Sequence, residues 1–503
     1  MQRWRSSNIG HGDVSVLKDN FVTTDLPTTC ASNILDGFKG NAPCTVARLL
    51  QDEGIKNVAK SNMDEFGMGS HSMNSAWGPV KNGVDKHALS VGGSSGGSAF
   101  VVAAGKARFA IGSDTGGSVR LPAAYTGIVG FKPSYGRISR NGLVPYANSL
   151  DTVGIMTTRV MDTLTIFKML NKYDQADPTS LTPESRQRIV HAQLSRIPLA
   201  KQSRRDHIPI RVVGQTDDHE SNKLHDEAEE RWKLQNGLYG TPKVSYRIGV
   251  PDEYNIEEMH PLVRHTWLKT LSALHAMGND IVHLSLPTTQ QALAAYYVLA
   301  PAEASSNLAK YDGVRYGKPR SSGVPDNHDG PLYADYRGEN FGEEVKRRIL
   351  LGTFSLSAGA MDNYFIQAQK VRRLVQHDFN SVFSMGHPLT NSSKGNSDGV
   401  DFIVVPTAPT IPPLLSEVEQ MSSLDSFVND VFTVPASLAG LPAISVPVHS
   451  DDDLPATPER NIGMQVIGQF GDDVPLLNFT RYMMGAIDPP RHDHIRIWNR
   501  SRI

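Results

Sequence analysis

The 503-residue sequence predicts an α/β fold, a mixed central β-sheet covered by helices on both faces. Three observations predict it. Short apolar runs of strand length alternate with helix-length segments along most of the chain, which is the pattern of α/β layering. Those runs extend from Val14–Lys18 to Met464–Gly468, so they favour one large domain over several small ones. A glycine- and serine-rich block, Leu89–Pro133, lies among apolar, Ala/Val-rich segments, where a flexible linker would be polar.

Taken in order, Val14–Lys18 is an apolar strand that ends on a charge and meets two turn formers, Asp19 and Asn20. Cys44–Gly54 reads as an amphipathic helix with Gly54 as its stop. Val58 begins a strand that becomes a loop through Asn62–Ser70. Inside the glycine block, Ser98–Gly105 reads as a short buried helix with Ser98 near its start, and Ala107–Ile111 as a buried strand. A sharp turn follows at Ser113–Ser118, and Val119 begins another helix. Val160–Lys172 reads as a helix with an apolar face at Val160, Leu164, Phe167 and Leu170.

From about 174 to 242 the chain turns polar, charged and poor in aromatics. Such a segment buries too little apolar surface to offset its ordering entropy, so it reads as a surface excursion, partly helical around Leu224–Leu234. Its Arg186, Arg188, Arg196, Lys201, Arg204 and Arg205 suggest an arm that touches nucleic acid, whereas its acids favour a plain solvated insertion. Strands are then expected at Tyr246–Pro251 and Ile281–Leu286, and helices at Val263–Met277 and Gln290–Leu308. Lys318–Gly338 is rich in Pro, Gly and Asp and reads as a loop. Phe341–Gly359 and Asp362–Val382 read as helices, and Ser384–Gly399 as a polar loop. Asp401–Pro406, Leu438–Pro447 and Met464–Gly468 supply the last strands, and Pro475–Met484 the last helix. The expected organisation is one domain over 1–503 with excursions at about 174–242, 318–338 and 384–399.

Composition narrows the function. A net charge of −2 gives no global basic field to attract nucleic acid. With only Cys30 and Cys44, no disulfide framework is expected and a reducing compartment fits. No apolar run is long enough to span a membrane. The first ten residues carry two arginines, two serines and no acid, as an organellar presequence would.

The chemistry lies in two Gly-Gly-Ser turns, Gly92-Gly93-Ser94 and Gly116-Gly117-Ser118. Glycine is used where the backbone takes positive φ or approaches another group closely. Ser118 precedes a helix start, where backbone N–H groups are unpaired and can hold an anion. A hydroxyl beside such donors suits acyl transfer: attack by the oxygen, then stabilisation of the oxyanion. No Gly-x-Ser-x-Gly elbow with Asp and His follows, and the seventeen histidines form no motif. A serine without histidine needs another base, and lysine is the known alternative. Lys18, at the end of an apolar strand, is the candidate, because desolvation lowers an amine's pKa. On spacing alone it also reads as a surface lysine.

Lys18-Asp-Asn, GGSSGGS and GSDTGGSVRLPAA together resemble the amidase signature family, serine amidases with a Ser-Ser-Lys triad. The resemblance implies the amidase signature fold. It implies Ser118 as the acyl-forming nucleophile, Ser94 as the bridging serine on a cis peptide bond, and Lys18 as the base. The N–H groups of Thr115, Gly116 and Gly117 become the oxyanion hole. Asn62–Phe66, Ala302–Asn307, Val314–Gly317, Glu344–Ile349 and Phe427–Pro435 further resemble one branch of that family, the A subunits of glutamyl-tRNA(Gln) amidotransferases.

That branch implies glutamine hydrolysis, with ammonia passed to a B subunit that holds ATP and Mg and activates Glu-tRNA(Gln). It also implies a small accessory subunit, a mitochondrial matrix location, and no metal or cofactor on this chain. Free glutamine brings an α-carboxylate and an α-ammonium, and each needs a partner of opposite charge. By resemblance Arg348 and Asp430 fill these roles, with Tyr296, Met68, Gly69 and Ser70 as pocket walls. A helix-face ion pair for Arg348 and a helix cap for Asp430 are the structural alternatives.

Two departures stand out. His71–Asn74 replaces a more acidic sequence, and little precedes Lys18 where relatives carry a helical stretch. The competing function is a freestanding amidase for a small or fatty amide, which would want an apolar tunnel without paired charges. A catalytically silent scaffold is a third reading, and the presence of Lys18, Ser94 and Ser118 argues against it.

Overall fold

The computed structural model describes residues 13–82, 88–195, 245–318, 332–390, 395–421, 428–449 and 457–487. The strands are β1 (Val14–Lys18), β2 (Lys56–Ser61), β3 (Lys81–Asn82), β4 (Leu89–Ser90), β5 (Phe109–Asp114), β6 (Val129–Lys132), β7 (Thr152–Thr157), β8 (Arg247–Pro251), β9 (Asp280–Leu284), β10 (Phe402–Pro406), β11 (Ala443–Val448) and β12 (Ile462–Gly468). Ten of them form one mixed sheet in the order β2-β1-β5-β7-β6-β11-β12-β10-β8-β9, and β3 pairs with β4 apart from it. The flanks β2-β1-β5 and β10-β8-β9 are parallel, and the centre from β5 to β10 is antiparallel. The expected α/β fold is therefore the observed one.

The register positions the site. β1 runs parallel to β5 with Leu17 opposite Ile111, so both strands finish at the same end of the sheet. Lys18, the last residue of β1, thus emerges beside Ser113 and Asp114, the last residues of β5. Gly112 of β5 faces Gly154 of β7. A methyl group on either would press on the Val119 side chain, at 3.0 Å from Gly112 and 2.6 Å from Gly154. Two glycines on one face therefore open a slot for Val119, which holds the start of the helix Arg120–Thr126 down on the sheet.

Several expected boundaries shift. The first helix of the glycine block is Gly96–Ala103, beginning two residues before Ser98, and β5 runs on to Asp114. The strand expected from Leu438 begins only at Ala443. Pro435 opens a short helix, Val434–Leu438, and Gly440 at φ +72° ends that turn. The loop expected at 318–338 contains the start of a helix, Ala334–Asn340.

Within the polar segment from 174, a helix forms at Pro183–Ser195 and buries Ile189. Arg186, expected on a solvated arm, instead donates to the carbonyls of Leu181 at 2.8 Å and Arg137 at 3.0 Å. Arg188 lies on that same helix, whereas Arg196, Lys201, Arg204 and Arg205, and the helical stretch Leu224–Leu234, lie outside the described residues. Cys30 and Cys44 are buried free thiols. Among the described residues no helix is long and apolar enough to cross a membrane, and no three His, Cys, Asp or Glu side chains gather as a metal site.

Candidate active site

Lys18 is fully buried, and its Nζ donates to Ser94 Oγ at 2.7 Å and to Ser113 Oγ at 3.0 Å. Asn20 Nδ2 donates to the same Ser113 Oγ at 2.9 Å, which holds that hydroxyl against the amine. Burial pulls the Lys18 amine from the ordinary lysine value down to about 7, against the fields of Asp64, Asp114 and Asp151. The peptide bond between Gly93 and Ser94 is cis. Gly93 lies against Ser70 and His71, where a methyl group would come within 2.8 Å of the Ser70 carbonyl carbon.

The two glycine-serine turns lie side by side: Ser95 N donates to the carbonyl of Ser118 at 3.1 Å. The Ser118 hydroxyl, 8 % exposed, has no hydrogen-bond partner among the described residues. The second expected link, Ser118 Oγ to Ser94 Oγ, is therefore not formed as a hydrogen bond, whereas the first, Ser94 to Lys18, is. Thr115, Gly116 and Gly117 follow the end of β5, and their N–H groups have no acceptor among the described residues. Three unpaired donors immediately before the nucleophile candidate form a site where negative charge would be stabilised.

Around this turn lie the expected pocket residues. Tyr296 covers Gly116, where a methyl group would stand 2.8 Å from Tyr296 Cζ. Gly117 faces Asp430, whose Oδ1 is 2.9 Å from the position of a methyl group. Asp430 Oδ2 accepts from Ser70 Oγ at 2.7 Å and from the Tyr297 hydroxyl at 3.5 Å. Burial raises the Asp430 carboxyl to about 6, so it is ionised at neutral pH.

Arg348 lies on the helix Glu343–Ser355. Its Nε donates to Glu344 Oε1 at 2.7 Å and its Nη1 to the Tyr146 hydroxyl at 2.8 Å. Its guanidinium stands 5.5 Å from the Tyr297 ring. The helix-face ion pair is thus present, and the guanidinium stands beside Tyr297, whose hydroxyl reaches Asp430. Gly69 backs onto the carboxylate of Asp64, and Met68 is buried in the main apolar core, so of the three expected loop walls Ser70 alone hydrogen-bonds a pocket side chain.

A family model described as amidase matches residues 9–205 and 198–477. The chain belongs to the amidase family. It is 52% identical over 476 residues to the A subunit of the mitochondrial glutamyl-tRNA(Gln) amidotransferase of Coccidioides posadasii, covering 92% of this chain and 86% of that one. The corresponding protein of Emericella nidulans is 50% identical over 478 residues, covering 92% and 87%. The crystal structure of the A subunit of glutamyl-tRNA(Gln) amidotransferase from Thermotoga maritima superposes with a TM-score of 0.67 at 31% identity, covering 96% and 84%.

Several residues of this amidase site carried no signal that was read from the sequence. Asp114 and Arg120 form a fully buried pair, Arg120 Nη2 to Asp114 Oδ1 at 2.8 Å and Nε to Oδ2 at 3.0 Å. Arg120 also donates to the carbonyl of Gly116 at 2.9 Å and to Gln465 Oε1 at 2.7 Å, while Asp114 accepts from Val119 N at 3.1 Å. The pair ties both ends of the turn 114–120 together, and the Asp-x5-Arg spacing inside GSDTGGSVR was the available signal. His71, in the departure from the family pattern, sits between Ser90 Oγ at 2.8 Å and Asn429 Nδ2 at 3.3 Å. Burial holds it near 4, so it is neutral there.

Proposed function

We propose that this chain is the glutamine-hydrolysing A subunit of a mitochondrial glutamyl-tRNA(Gln) amidotransferase. The observation that carries the chemistry is the 2.7 Å contact of a fully buried Lys18 amine with Ser94 Oγ, one turn from Ser118. With its pKa near 7, a large share of Lys18 is neutral under neutral conditions and accepts the Ser94 proton. Ser94 in turn takes the Ser118 proton as Ser118 Oγ attacks the carboxamide carbon of glutamine. The resulting oxyanion lies against the N–H groups of Thr115, Gly116 and Gly117. The proton returns through Ser94 to the leaving ammonia, and water then releases glutamate from Ser118 by the reverse relay.

Arg348 receives the α-carboxylate and Asp430 the α-ammonium. Two buried opposite charges near the turn offer an amino-acid amide partners for both its α-groups, which an apolar amide could not engage. The B subunit with its ATP and Mg, Glu-tRNA(Gln), and the small accessory subunit complete the reaction outside this chain. Support comes from the two mitochondrial relatives, each about half identical over most of the chain. The test is co-purification from mitochondria, followed by glutaminase assay with and without ATP and Glu-tRNA(Gln). Glutamine hydrolysis lost in Ser118→Ala is expected. Hydrolysis of an apolar amide without glutamine use would overturn the reading.

A further inference from the structure

Asp151, the residue just before β7, is buried in the short segment between Arg348 and the oxyanion turn. Its Oδ1 accepts from Thr115 Oγ1 at 2.7 Å, and Thr115 is the first of the three unpaired donors. Its Oδ2 accepts from the backbone N–H groups of Tyr146 at 2.9 Å and Ala147 at 3.0 Å. The hydroxyl of that same Tyr146 accepts from Arg348 Nη1 at 2.8 Å. One carboxylate therefore grips both the turn that would bear the oxyanion and the residue that orients the substrate-binding guanidinium. The surrounding segment is fixed from outside as well: Asn307 Nδ2 donates to the Tyr146 carbonyl at 3.0 Å, and Ser149 N donates to Glu303 at 2.9 Å.

We propose that Asp151 is a positioning residue that couples glutamine recognition at Arg348 to oxyanion stabilisation at Thr115–Gly117. This rests on the reading of the site given above. Its two oxygens accept from three donors, and none of those donors has a second acceptor among the described residues. Alanine in its place would remove the acceptor of Thr115 Oγ1 and of both backbone N–H groups, and both arms of the coupling would open.

The two arms separate by variant. In the intact complex, Thr115→Val removes only the hydroxyl grip and should lower kcat roughly tenfold while leaving the glutamine KM unchanged. Tyr146→Phe removes the acceptor for Arg348, and with it the hydroxyl contact to Tyr296, and should raise the glutamine KM with little change in kcat. Asp151→Ala should do both, and in the Thr115→Val background should cost no further kcat yet still raise KM. Thr115→Ser should restore kcat.

Active-site concentration, measured by the acyl-enzyme burst, separates positioning from mere loss of folded protein. An Asp151→Ala variant whose kcat per active site and KM both match wild type, or whose kcat losses with Thr115→Val are additive, would overturn the assignment. A short aliphatic amide lacking α-groups serves as control. A wild type that hydrolyses it but ignores glutamine would overturn the glutamine reading and with it the KM half of the coupling. The kcat half would then stand or fall on the short amide.

Discussion

Replacing Arg348 by methionine should weaken glutamine use selectively. Methionine keeps an apolar stem beside the Tyr297 ring but removes the guanidinium that donates to Tyr146 at 2.8 Å and that would meet the substrate carboxylate. A hydrogen bond to a charged group contributes about 1.5–3 kcal/mol, which corresponds to a loss of roughly 10- to 150-fold in kcat/KM for glutamine. The same change strips Glu344 of its 2.7 Å partner. Glu344 retains Arg347 on its other oxygen, so the stability loss should stay near 1–3 kcal/mol, readable by chemical denaturation. Steady-state ammonia release is the assay, with a short aliphatic amide run beside glutamine. The short amide should lose only a few-fold, since it has no carboxylate to miss. An equal loss on both substrates would refute the reasoning, because Arg348 would then support the site structurally without recognising glutamine.

Lys18→Met should lower kcat roughly 100- to 10,000-fold with little change in KM, since it removes proton transfer but no substrate contact. It should also stabilise the protein at neutral pH. The folded state depresses the Lys18 pKa to about 7, so the fold binds fewer protons than the unfolded chain above that pH. The cost of burying Lys18 is therefore fully present below about pH 7 and is relieved as pH rises toward 10.5, and the melting advantage of Lys18→Met should shrink over that window. Arg120→Met should destabilise by about 3–5 kcal/mol in denaturant melts, because it leaves Asp114 charged and fully buried without its partner. Gly116→Ala should depress kcat and cost about 1–3 kcal/mol in denaturant melts, since its methyl meets the buried Tyr296 ring at 2.8 Å and pushes the oxyanion turn.

What was legible in the sequence follows from range. Ser94 and Ser118 could be proposed because glycine turns are encoded within a few residues of each hydroxyl, whereas Lys18 also read as a surface lysine on spacing and was singled out by the family resemblance. The α/β architecture was legible because its strands are continuous apolar runs, as in β10, which is buried throughout. Leu438–Leu441 misled for the same reason: an apolar run looks like strand until Pro435 and Gly440 are weighed as helix punctuation. The bracing of the oxyanion turn was not legible, because Arg120 reaches Thr433, Ser437 and Gln465, more than 300 positions away. Within the loop carried over by resemblance, Met68 packs in the apolar core while Ser70, two residues on, hydrogen-bonds Asp430, a difference set by contacts distant in sequence.

The central claim is that the Lys18 amine exchanges its proton near neutrality. The direct measurement is an NMR titration of the protein labelled at lysine Cε, with Lys18→Met identifying the signal and separating it from buried Lys132. A titration midpoint near 7, coincident with the acid limb of kcat/KM for glutamine, is the predicted result. A Lys18 that stays protonated through pH 9 while hydrolysis proceeds unchanged would contradict it.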